Sequence, residues 1–159
     1  MGPPGPNTDH PDRYNHARIS AISAITLSPK RKRLGLYFQL HEKNIQQEKA
    51  CGFLRHLPRH LRGHVGVVWD NGTPHKGNEV REFCRGRHRL HLERFPPYAP
   101  ELNPDEGAWS QVKGKLANGR PDDPGELQQH LSGDLLQLRA SQLSLRWCVH
   151  QSDLPWVFI

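Results

Sequence analysis

The chain has 159 residues, 35% of them apolar and 24% charged, with 22 Lys and Arg against 16 Asp and Glu. That length suits one domain, and a mean hydropathy of −0.78 excludes a membrane span, since no window approaches the roughly 20 apolar residues a bilayer requires. The net charge of +6, with 15 of the 22 basic residues being Arg, favours a polyanionic partner, because basic side chains that neutralise phosphates release condensed counterions. No basic segment followed by an apolar stretch opens the sequence, so a cytoplasmic location is expected. Cys51, Cys84 and Cys148 stand far apart without Cys-x-x-Cys spacing, which predicts free thiols rather than a disulfide framework or a zinc knuckle.

Residues 1–16 hold four prolines and two glycines. They carry too little apolar surface to offset ordering entropy and read as a disordered arm. The β-branched run Ala17 to Leu27 predicts a strand, and a basic turn through Lys30 and Arg33 leads to a second strand from Leu34 to Leu40, as in an antiparallel hairpin. From Asn44 the apolar spacing becomes helical through Ile45, Cys51, Leu54, Leu57 and Leu61, with Gly63 as a stop and Pro58 expected to kink or shorten the helix. Val65 to Trp69 is a short continuous apolar run suited to a strand buried on both faces. A short helix around Val80, Phe83 and Cys84 and a strand from Leu90 to Phe95 complete a β-β-α-β-α-β order.

The proline-rich connection Pro96 to Pro104 leads into a helix that Asn103 can cap, with Pro104 in its first turn. Trp109, Val112 and Leu116 give that helix its buried face. Leucines 127, 131, 135, 138 and 145 predict one or two further helices, broken near Ser132 and Gly133. The glycines at 107 and 114 are unusual inside a helix. The domain is expected over residues 17–150, with 151–159 as a tail.

Two carboxylates stand apart. Asp70 ends the strand expected at the sheet centre, where open α/β sheets place reactive groups, and Glu106 lies in the first turn of the capped helix. Asp70 also suits an Asx-turn through Asn71 and Gly72, and Glu106 suits a helix N-terminus for its dipole alone. His56, His60 and His64 are spaced by four, a pattern that can mark a metal site. No HExxH accompanies them and Pro58 interrupts the face, so a surface cluster is the simpler reading.

The phrases WDNGTPH and FPPYAPELNPDEGAW resemble the second and third blocks of DDE transposases of the Tc1/mariner and IS630 group. The segment SAISAITLSPKRKRLGLYFQL is also similar to the IS630 type, so the resemblance covers Arg13 to His150. It implies an α/β, RNase H-like mixed sheet flanked by helices, in which Asp70 and Glu106 are the second and third members of an acidic triad that holds two Mg²⁺ ions. Asn71, His75 and Asn103 would contact DNA or steady the acidic residues. The implied partner is DNA at transposon ends, and the implied reaction is strand cleavage and transfer. Two metals roughly 3.5–4 Å apart activate the attacking oxygen and stabilise the leaving one. The 35 residues between the two acids accommodate a helix, a strand and the connection.

The family's first acid sits on the first, central strand, upstream of the hairpin, and its helix-turn-helix lies further upstream. Asp9 and Asp12 precede the hairpin here but lack a strand-forming run around them. The chain is therefore expected to lack that strand, to be a C-terminal piece of a transposase, and to be inactive unless an upstream segment supplies the acid. The alternative is a non-catalytic basic module that binds nucleic acid through its arginines.

Overall fold

A computed structural model describes residues 18–28, 30, 32–70, 78–119 and 121–154. The arm expected over residues 1–16 lies outside them, as do Asn71, His75 and the tail from 155. Two strands open the fold, β1 (Ser20–Ser28) and β2 (Arg33–His41). They form an antiparallel hairpin in register from Ser20 opposite His41 to Ser28 opposite Arg33. Lys32 takes a positive φ of 48° in the turn, and Gly35 is needed because a Cβ there would lie 2.8 Å from Thr26 Oγ1.

Helix α1 (Gln47–His60) follows. It starts three residues later than Asn44 and carries Pro58 in its last turn, so the proline shortens the helix without breaking it. A ring there removes one hydrogen bond where the helix is ending anyway. Arg89 reaches across to the exposed carbonyls, donating from Nε to Gly63 at 2.9 Å and from Nη2 to Leu61 at 2.7 Å. Such an arginine satisfies orphan acceptors and the negative end of the dipole together.

Strand β3 (Val65–Trp69), helix α2 (Asn78–Arg85) and strand β4 (Leu90–Arg94) make a parallel β-α-β unit. A one-turn 3-10 segment, Pro100–Leu102, precedes α3 (Pro104–Leu116), α4 (Pro124–Ala140) and α5 (Gln142–Gln151). The break expected at Ser132 and Gly133 is not there. Leu131, Leu135 and Leu138 all enter one core, and that continuous stripe carries α4 through Gly133. The break falls at Ser141, whose side chain accepts from Ser144 N and caps α5.

Period-two alternation divides the hairpin between two cores. On one face Leu34 and Leu36, with Ile25, Leu27 and Phe38 beside them, pack against Val112, Leu135, Leu145 and Val149 of the last three helices. On the other face Ile22, Ala24 and Tyr37 pack with Phe53, Leu54 and Leu57 of α1, Val65 and Trp69 of β3, and Val80 of α2. Helices thus cover both faces of the strands, an α/β layering. The described strands form two pairs, β1 with β2 and β3 with β4. Ile22, Ile25, Leu27, Val67 and Val68 border a cavity of about 300 Å³ between the two pairs.

Gly107 has a packing reason. A Cβ at this position would lie 3.1 Å from Cys148 Cα and 3.3 Å from its Cβ, so the missing side chain lets α3 cross close to α5. Gly114 faces open space. The three cysteines are free, with Cys51 and Cys148 buried. Among the described residues no helix is long and apolar enough to cross a membrane.

Candidate active site

Asp70 is the first residue beyond β3, and Glu106 is the third residue of α3. Both are exposed, and both border one cleft of about 1040 Å³. The β3 ladder carries Asp70 to its place: Phe95 N donates to Trp69 O at 3.0 Å, extending the parallel pairing up to the residue before the acid. Glu106 is placed by its cap. The Asn103 side chain accepts from Asp105 N at 3.1 Å, satisfying one of the free N–H groups of the first turn, and Pro104 presets the first helical φ.

A third carboxylate lies between them, and sequence reading had passed over it. Asp105 borders the same cleft. Ser23 Oγ donates to its Oδ2, and Trp109 Nε1 donates to the same oxygen at 3.2 Å and to Ser23 Oγ at 2.8 Å. Its Oδ1 is buried with no hydrogen-bond partner. Burial first, then the negative charges of Glu106 and Asp70, pushes its pKa from 3.8 up to about 6, against the opposing pull of the Ser23 and Trp109 hydrogen bonds. The signal was present in the helical period. Position 105 precedes Trp109 by four and Val112 by seven, which places it on the buried face of α3 rather than on the solvent face.

Five carboxylates border the cleft, Glu48, Asp70, Glu79, Asp105 and Glu106, against the single guanidinium of Arg18. In a chain of net charge +6, this local excess of negative charge favours a cation. Among the described residues no three His, Cys, Asp or Glu side chains are already gathered round one point to hold a metal ion.

The other candidates are partly resolved. Asn71 and His75 lie outside the described residues, and Asn103 serves as the helix cap at the cleft wall. The three histidines do not converge. His56 Nε2 and His60 Nε2 face each other at 2.9 Å on α1, while His64 stacks on His91 at 5.6 Å between ring centroids.

A helix-flanked α/β unit with one acid at the end of a parallel strand, another at the start of a helix and an acidic cleft between them is the layout of a metal-assisted nuclease. The chain belongs to the DDE superfamily endonucleases, a family that matches residues 1–128. No curated protein matches it. Among solved structures it resembles the catalytic domain of Mos1 mariner transposase at 15% identity, over 86% of this chain and 82% of that one, with a TM-score of 0.52. The same domain with Raltegravir matches at 15% identity and TM-score 0.52 in its Mg form, covering 86% of this chain and 84% of that one. The Mn form matches at 14% identity and TM-score 0.53, covering 86% and 83%. At such identities the likeness is one of fold, and it bears out the RNase H-like architecture.

Proposed function

We propose that this chain is the greater part of a transposase catalytic domain that cleaves and joins DNA strands at transposon ends. The observation that carries the reading is the opening of Asp70 and Glu106 onto one acidic cleft from two different elements. The donor set suits a hard divalent cation such as Mg²⁺ or Mn²⁺, because every candidate ligand is a carboxylate oxygen. The unpartnered Oδ1 of Asp105 in the same cleft fits a cation as well.

When bound, a pair of such cations supplies activation of the attacking oxygen and stabilisation of the leaving one. The chain's own residues do the rest. Asp70 and Glu106 hold the cations from opposite walls, Arg18 at the cleft border offers a bidentate donor to a phosphate, and Asn103 fixes the helix start from which Glu106 projects. The remaining acid of the triad would come from an upstream segment on a strand beside β1 and β3, so the chain alone is inactive in this reading.

The test is a nicking and joining assay on supercoiled DNA. The expected result is no cleavage by the chain alone in Mg²⁺ or Mn²⁺, and cleavage after co-expression with an upstream segment carrying the acid, abolished by Asp70→Asn or Glu106→Gln. Cleavage by the chain alone, abolished by Asp70→Ala, would show a complete site. DNA binding indifferent both to Mg²⁺ and to loss of Asp70, with no cleavage in any combination, would favour the basic nucleic-acid-binding module instead.

A further inference from the structure

Asp105 differs from its acidic neighbours in being built into the wall of the cleft. Asp70 and Glu106 are exposed and free to turn, whereas one oxygen of Asp105 is pinned by Ser23 and Trp109. The pinning leaves the other oxygen enclosed and without a donor. A buried carboxylate oxygen without a partner is costly, and this one also has two further carboxylates for neighbours. Hydrogen bonds that fix one oxygen and thereby orient the other are how proteins hold carboxylate ligands for a metal.

We propose that Asp105 is a third ligand of the cleft, holding one divalent cation together with Asp70 and Glu106. The inference rests on the functional reading above and extends it, since neither the family nor the sequence motif assigns Asp105 a role. It also gives the chain a property of its own: binding a single cation without an upstream segment, while lacking the second position that cleavage requires. The three carboxylates do not yet surround one point, as expected when like charges repel. Asp70 and Glu106 close toward the fixed Asp105 as the cation neutralises them.

The experiment is titration of the full chain with Mn²⁺ by calorimetry, paired with thermal melts in EDTA and in Mn²⁺. Asp105→Asn keeps an oxygen for Ser23 and Trp109 but loses the charge. It is expected to weaken Mn²⁺ binding at least tenfold and to abolish the Mn²⁺-induced rise in Tm, while melting in EDTA no lower than wild type. A purely structural Asp105 would give the opposite pattern, a lower Tm in EDTA with the Mn²⁺ rise retained, and would overturn the proposal. Should Asp105→Asn fail to fold, Ser23→Ala loosens the same oxygen and is expected to weaken Mn²⁺ binding in the same direction by a smaller factor; unchanged binding would count against the proposal. Full-strength binding by Asp70→Asn and Glu106→Gln would overturn the functional reading itself. Weakened binding in those two with unchanged binding in Asp105→Asn would overturn this inference alone. Glu82→Gln, away from the cleft, serves as the control and should match wild type.

Discussion

Trp109 Nε1 donates to Ser23 Oγ at 2.8 Å, joining the helix of Glu106 to the first strand of the hairpin. Two elements distant in sequence are thereby locked at the cleft wall. Trp109→Phe keeps most of the ring and removes the donor, so a loss of about 1 kcal/mol is expected. Urea unfolding should show a lower midpoint with an unchanged slope.

Asp105 imposes a pH dependence of uncommon sign for an acid. Its pKa is pushed up to about 6 in the fold against 3.8 ordinarily, so the folded state holds the proton more tightly than the unfolded one. This group's contribution is therefore fully present below about pH 4 and is lost as pH rises to about 6, by up to about 3 kcal/mol. Stability measured in metal-free buffer from pH 4 to 7 should fall for wild type relative to Asp105→Asn. A flat difference between the two would contradict the burial argument.

Gly107 and Gly114 share α3 but predict opposite outcomes. Gly107→Ala places a methyl 3.1 Å from the Cys148 backbone, which must move α3 away from α5 at a cost of about 1–3 kcal/mol. Gly114→Ala meets nothing within 4 Å and should stabilise by up to about 1 kcal/mol through helix propensity. Thermal melts of the two variants side by side would check the pair.

Strands β1 and β3 each have one partner among the described residues, and Val68 on β3 is 55% exposed. Exposed apolar edges template pairing with other chains, so concentration-dependent self-association is expected. Val68→Lys should reduce it while changing stability by no more than about 0.5 kcal/mol. Sedimentation velocity over a concentration series reads both chains, and a wild type monomeric throughout would count against the prediction.

Much of this fold was legible because its signals are local. The hairpin, the Pro104 start of α3 and the Asn103 cap each follow from a few adjacent residues, and the placing of Asp70 and Glu106 at a strand end and a helix start followed with them. What escaped depended on contacts between distant elements. Gly107 looked out of place until Cys148 of α5 was seen against it, and the expected break at Gly133 vanished because leucines on both sides of it are buried together. Asp105 was hidden by its neighbour: Glu106 drew the chemistry, while the four-residue step from Asp105 to Trp109 marked the carboxylate that faces inward. The pairing of its oxygen with Ser23, 82 positions away, has no sequence signature.

The central claim is that Asp70 and Glu106 open on a common cation site, and a crystal of the chain grown with Mn²⁺ tests it most directly. The account predicts an anomalous difference peak in the cleft within ligand distance of carboxylate oxygens from both residues, absent in crystals of Asp70→Asn. Well-ordered Asp70 and Glu106 side chains directed away from each other, with no Mn²⁺ peak in the cleft, would contradict it.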